Sequence, residues 1–198
     1  MNPIYEHIWF TADQHFGHDN IRGYTNRPYD SVLEMDEDLI RRWNGVVDQY
    51  DTVYHLGDFT LGSVELAKQY FQRLNGTVHI LSNPWHHDTR WINKTSECIT
   101  KSGSSVLIES SLEVLEIKEL GKDNYPLAIS LCHYPLAVWD RKHYGAWHLH
   151  GHSHNAYYAD GFILDVGVDS AAAWLNEYRP FNLAEIIDIM SSKEISHN

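Results

Sequence analysis

The chain opens with short apolar runs separated by two longer amphipathic stretches. Segment 7–12 (HIWFTA) reads as a buried strand, and DQHFGHDN after it as a loop. Asp30-Ser31 with Glu34 forms the start of a capping box. The run SVLEMDEDLIRRWNGVVDQY follows, with Val32, Met35, Leu39 and Trp43 at helical spacing. TVYHLGD (52–58) predicts the next strand and its loop. SVELAKQYFQRLNG (63–76) predicts a helix that Gly76 stops, and TVHILSN (77–83) a third strand. Strand–helix–strand–helix–strand is the order of an α/β fold with parallel strands.

The second half carries a different pattern. Segments 105–109 (SVLIE), 112–119 (LEVLEIKE), 126–132 (PLAISLC), 145–150 (GAWHLH) and 161–168 (GFILDVGV) succeed one another through short turns. Strands without intervening helices predict a second sheet, largely antiparallel or mixed. A last helix is expected from Leu183 to Met190, capped by Asn182 and Glu185. The fold class is therefore α/β, with two sheets forming a sandwich and helices on its outer faces. No repeat or linker divides residues 1–198, which read as a single domain.

The polar residues fall where the strands end. Asp13-Gln14-His15 follows the first strand, Gly57-Asp58 the second, and Asn83 through Asp88 the third. His133 follows PLAISLC, and His150-Gly151-His152-Ser153-His154 follows GAWHL. Ligands of open α/β sheets collect at these carboxyl ends. Asp and His suit divalent transition metals such as Mn, Fe, Ni or Zn. Asp13 and His15 can both point inward if the chain stays extended, as can His152 and His154. Asp58 can bridge two ions through its two oxygens, Asn83 offers a carbonyl and His133 an imidazole nitrogen.

Composition narrows the setting. Of 198 residues, 43% are hydrophobic, enough for a sizeable core. A formal charge of −12 disfavours non-specific binding to nucleic acid or an anionic membrane. Fourteen histidines are the outlier, most of them in 15–18, 86–87 and 148–154. Two cysteines give no disulfide framework, MNPIYEHIWF is no signal peptide, and no apolar run is long enough for a membrane span. A cytoplasmic, reduced setting is expected.

The series DQH, GD, an Asn-containing strand end followed by HD, CHYP and HGHSH resembles the calcineurin-like metallophosphoesterases. That family's pattern is D-x-H, G-D, G-N-H-D/E, H and G-H-x-H in this order. The resemblance spans residues 8 to 168, and HFGHDN, VYHLGDF, CHYPLAVW and HLHGHSH look most like small uncapped bacterial and phage members. It implies two divalent ions (Mn, Fe, Zn or Ni, with Mn favoured) and a small phosphomonoester or phosphodiester substrate. One ion would be held by Asp13, His15, Asp58 and His154, the other by Asp58, Asn83, His133 and His152. By the same resemblance, a hydroxide bridging the metals attacks phosphorus, and a His of the N-H-D segment protonates the leaving oxygen, oriented by the carboxylate after it.

The chain departs from the family in two places. GDFTLGS lacks the arginine of the protein Ser/Thr phosphatase branch, which lowers that reading. SNPWHHD replaces G-N-H-D, so His86 and His87 compete for the acid role, with His87 favoured because His87-Asp88 keeps the pair. His18 is a further candidate for touching substrate. His55 and His79 read as core, His148 and His150 as structural or as supports behind the ligands, Cys132 as packing, and Asp165 and Asp169 as turn formers or supports of the site, with turn formers favoured. The alternative function is a metal-loaded scaffold that has lost its acid. A metallo-β-lactamase ranks below both, since H-x-H-x-D-H is absent.

Overall fold

The computed structural model describes residues 3–94, 98–122 and 125–193. Two sheets carry the chain. The first has strand β1 (Ile8–Thr11), β2 (Thr52–His55), β3 (Thr77–Leu81), β4 (Leu107–Glu109) and β9 (Phe181–Asn182), in the order β4-β3-β2-β1-β9. Its strands β1 to β4 are mutually parallel through three pairings, and β9 runs antiparallel to β1. The second has β5 (Leu112–Lys122), β6 (Tyr125–Cys132), β7 (Trp147–His150) and β8 (Ile163–Asp165) in sequence order. There β5–β6 is antiparallel and the other two pairings are parallel, so both sheets are mixed.

Side-chain alternation in the first sheet feeds two cores. Trp9, Val53, Val78 and Ile80 face helix α2 (Val32–Val46) and helix α3 (Val64–Phe71), where Met35, Leu39, Trp43 and Phe71 close the cluster. Phe10, Leu56 and Leu81 join a second cluster with Ile129, Leu131, Leu149 and Leu164 of the other sheet. Residues two apart share a face of a strand and neighbours do not, which is why Trp9 and Phe10 belong to different cores. The second cluster also takes residues of α4 (Val168–Leu175) and α5 (Leu183–Ser191). The result is an α/β fold of two packed sheets flanked by helices.

Local chemistry sets the helix ends. Ser31 Oγ accepts the Glu34 N–H at 3.1 Å, while Glu34 accepts the Asp30 N–H at 2.8 Å, so the reciprocal cap is spread over two residues. At α5 the cap closes as expected, with Asn182 and Glu185 each accepting the other's backbone N–H. Gly76 does not stop α3, which ends at Phe71. Its φ of +91° instead bends the chain into β3, where a Cβ would meet Val47 at 3.0 Å and the Asp51 carbonyl at 3.1 Å.

Two further expectations are corrected. Segment 105–109 joins the first sheet, beside β3, rather than the second. The strand expected over 161–168 ends at Asp165, and an apolar helix, α4, starts at Val168. A short helix, α1 (Ile21–Tyr24), follows the loop after β1.

Phe71 is fully buried and stacks on Phe59 with ring centroids 4.1 Å apart. Phe71→Ala should cost about 3–5 kcal/mol. Urea unfolding measures this; a loss below about 1 kcal/mol would contradict the packing described.

Candidate metal centre

The loops after β1 and β2 run side by side as a continuation of the sheet. Leu56 N–H donates to the Thr11 carbonyl at 2.8 Å, Asp13 N–H to Gly57 at 3.1 Å, and His15 N–H to Asp58 at 3.0 Å. The second sheet is stitched to this edge. Val168 N–H, after β8, donates to the Ala12 carbonyl at 3.1 Å, and within the second sheet Gly151 N–H donates to the His133 carbonyl at 3.0 Å. Strand ends from both sheets thereby converge on one patch.

The chain does not stay extended there. Asp13, His15, Asp58, His152 and His154 have φ of +63°, +53°, +56°, +67° and +48°. This corrects the expected extended pairs: each ligand pair is brought inward through left-handed backbone. Non-glycine residues in that region carry a strain of about 1–3 kcal/mol each, and such strain clusters at functional sites.

Two groups of side chains result. Ligating atoms of Asp13, His15 and His154 lie within 4.8 Å of one another, as do those of Asp58, His133 and His152. Asp58 stands between them: its Oδ2 is 3.6 Å from His15 Nε2 and 3.5 Å from His133 Nε2. The same carboxylate forms a third group with His15 and His87, and a fourth with His86 and Asp88.

The donor set fits divalent cations. Asp13 Oδ1, both ring nitrogens of His15 and His133 Nε2 are buried without a hydrogen-bond partner. Buried polar atoms are rarely left so, and each omission costs on the order of 1–3 kcal/mol. Burial, with Asp165, Asp58 and Asp169 nearby, pushes the Asp13 carboxyl well above the usual carboxylate range. Burial lowers His15 in the same way. Asp58 behaves oppositely: burial raises it, but His133, His15 and the His87 N–H outweigh that and hold it far below its ordinary value. An ionised Asp58 carboxylate and neutral imidazole nitrogens directed at one point are what a cation completes. His133 also donates from Nδ1 to the Leu56 carbonyl at 3.1 Å, which leaves Nε2 as the ligand atom.

Close approach is part of the design. A Cβ on Gly151 would sit 2.8 Å from Asp13 Oδ2, and one on Gly167 only 2.5 Å away. Asp13 Oδ2 instead accepts the His152 N–H at 2.9 Å.

The segment Asn83–Asp88 is less uniform than the family pattern implies. Asn83 Oδ1 accepts the Trp85 N–H at 2.9 Å, so its amide shapes the turn after β3. His86 is buried: Nδ1 accepts the Asp88 N–H at 3.2 Å and Nε2 faces the Leu81 carbonyl at 3.3 Å. Burial lowers it to about 4. His87 has a 44% exposed side chain, with Nε2 3.9 Å from Asp58 Oδ2 and its ring against His15 and His18. Its backbone N–H donates to Asp58 Oδ1 at 2.9 Å. The expected orientation of His87 by Asp88 is not what the structure shows. Asp88 lies 3.4 Å from His86 and accepts the N–H groups of Phe59 and Thr60, near 3.0 Å, so it fixes the loop that carries Asp58. Burial pushes Asp88 up to about 7. His18 is half-buried at the mouth, 5.6 Å from the His15 ring and 6.0 Å from that of His87.

Two supports differ from the sequence reading. Asp169 accepts His154 Nδ1 at 2.6 Å and binds Arg27 through both oxygens, at 2.8 and 2.7 Å. Asp165 accepts the N–H groups of Asn155 and Gly167, at 2.9 and 2.7 Å, and the Ser153 hydroxyl. Both read as turn formers in the sequence, yet both hold the site's loops. Arg27 was not singled out at all. Its buried guanidinium also donates to the carbonyls of Asp13 and Gln14, at 2.6 and 2.9 Å. His55 is buried, as expected, and its Nδ1 accepts the Gly57 N–H at 3.1 Å. His148 and His150 are buried on backbone partners, and Cys132 is packed. His79 is only half-buried and pairs with Glu109 at 2.6 Å.

No protein-family model matches the chain. It is 42% identical over 73 residues to an uncharacterized protein of Methanocaldococcus jannaschii, covering 36% of this chain and 42% of that one. It is 42% identical over 57 residues to the Gene 66 protein of Mycobacterium phage L5, covering 29% and 27%. The chain thus matches less than half the length of either relative. The crystal structure of a protein of unknown function from Aquifex aeolicus superposes with a TM-score of 0.61 and 22% identity, over 92% of this chain and 98% of that one. This likeness shows a shared fold. Among the described residues no helix is long and apolar enough to cross a membrane.

Asp169→Asn should weaken metal binding about 10–100-fold, as loss of a ligand's supporting carboxylate does elsewhere. Titration with Mn²⁺ by calorimetry checks this; unchanged affinity would remove Asp169 from the site.

Proposed function

We propose that the chain is a dinuclear metal-dependent phosphoesterase of the calcineurin-like kind, with that family's four-layer α/β/β/α sandwich. The observation that carries this reading is the meeting of two Asp/His groups at one shared carboxylate, Asp58. Asp13, His15, Asp58 and His154 would hold one ion, and Asp58, Asn83, His133 and His152 the other. Divalent ions there supply Lewis-acid polarisation of a phosphoryl oxygen and acidification of water. The substrate is a small phosphoester, met in the cytosol, where Cys98 and Cys132 stay free thiols.

The chain's own residues supply the rest. Asp58 is kept ionised by the imidazoles on either side, so it is ready as a ligand at neutral pH. His87 is the proton donor to the leaving oxygen, because it alone of the adjacent pair is exposed at the mouth. Its own N–H to Asp58 sets its backbone, the orienting role that the family gives to the following carboxylate. His86 serves as a wedge between Asp88 and His133. His18 flanks His87 and faces incoming substrate.

One observation favours a second reading, a metal-loaded scaffold without turnover. Asp88 is spent on Phe59 and Thr60, so the carboxylate that follows His87 does not orient it, and Asp58, at 3.9 Å, is the carboxylate its ring faces. Protein that carries two ions yet hydrolyses no phosphoester would select it.

Hydrolysis of p-nitrophenyl phosphate and of its bis-ester, with Mn²⁺, is expected for the wild type and lost in Asp58→Asn together with metal. A catalytically silent wild type with full metal occupancy contradicts the reading. His87→Ala should slow an alkyl phosphodiester about 10²–10⁴-fold, the usual contribution of a general acid, and slow the p-nitrophenyl ester far less. Equal losses on both substrates would exclude His87 as the acid.

A further inference from the structure

A second concavity lies beside the metal centre and takes no part in it. It is an open cleft between the segment after His154, the edge strand β8 and helix α4. Its rim is aromatic: Tyr158 is 89% exposed, Trp174 50% and Tyr157 42%. Exposed rings cost free energy in water, and three around one opening form a face that a flat apolar ring can cover.

The floor is polar and incompletely satisfied. Ser170 is fully buried and its Oγ has no hydrogen-bond partner. A hydroxyl in that state is rare and points to a missing partner. His150, at the same floor, uses Nδ1 on the Gly151 carbonyl at 2.8 Å and packs its ring edge-on to Tyr157, so Nε2 is the nitrogen left for a ligand. Lys193 lines the cleft and donates to the Ile163 carbonyl, with two ammonium protons remaining. Asp165 lines the same cleft with the contrary charge, although its oxygens already serve Asn155, Gly167 and Ser153.

We propose that this cleft binds a nucleobase, most naturally the purine of a nucleoside. A charge-balanced floor disfavours a free anion. The aromatic rim selects a flat ring, and Ser170, His150 and Lys193 offer hydroxyl, imidazole and ammonium groups to the ring's edge. An aliphatic chain would leave Ser170 unsatisfied. The site stands independently of the phosphoesterase reading. It borders the metal centre: Asp165 anchors the loop bearing His152 and His154, and His150, Asn155 and Ser170 are chain neighbours of that centre's residues.

Adenosine and guanosine, titrated into the full-length protein and followed by calorimetry and by tryptophan fluorescence, provide the test. Submillimolar binding is expected, weakened about tenfold or more by Trp174→Ala and by Tyr158→Ala, the scale of a lost base-stacking contact. Ser170→Ala removes one hydroxyl from a buried position and should weaken binding several-fold without unfolding the chain, as circular dichroism will show. Asp58→Asn should leave nucleoside binding unchanged. No binding of either nucleoside at about 5 mM overturns the proposal. So does binding that survives all three cleft substitutions, or that disappears in Asp58→Asn, since the base would then lie at the metal centre.

Discussion

Asp58 at the seam of two sheets is the point on which the structure turns. Its carboxylate faces His15 from the first sheet and His133 from the second, 3.6 and 3.5 Å away. To hold it there the chain accepts a left-handed turn at Asp58 itself, and a Gly57 with φ of +115°, where a Cβ would press on His133 and His86. The cost is met by the surrounding order. Asp88 clamps the following N–H groups, and Phe59 is stacked into the larger core. A buried carboxylate among imidazoles is ionised without any cation at hand, so the electrostatics precede whatever the site binds.

The same seam explains why so many histidines sit in so small a protein. His15, His18, His87 and His154 lie ring against ring at the mouth. Burial and mutual repulsion lower His15, His18 and the nearby His152, which keeps imidazole neutral and available as a lone-pair donor. Behind them a buried network does the positioning. Arg27, a buried cation, binds Asp169, and Asp169 holds His154. Without Arg27 the group Asp13, Asp165 and Asp169 would concentrate negative charge that the interior does not tolerate.

The parts of this that could be read from the sequence share a cause. Asp13, His15, Asp58, His133, His152 and His154 interrupt apolar runs at strand ends, and polarity at those positions stands out against the alternation. The first three parallel strands, α2, α3 and the capping box at Asn182 follow from periodicity and caps that act within a few residues. What escaped acts over distance or without contrast. Arg27 meets Asp169 across 142 residues, and nothing near YTNRPYD marks it. Helix α4, VDSAAAWL, is apolar on most faces and continues an apolar strand, so no period separates the two. Strand β4 has the composition of either sheet, and only its parallel register with β3 assigns it. The left-handed residues were invisible for the opposite reason, since Asp and His tolerate that backbone without announcing it.

The central claim is that two cations share Asp58. Anomalous diffraction from Mn²⁺-loaded crystals addresses it most directly. The account predicts two peaks about 3.5–4 Å apart, the spacing of dinuclear hydrolytic sites, with the Asp58 carboxylate between them. A single peak, or a pair that Asp58 does not join, would contradict it.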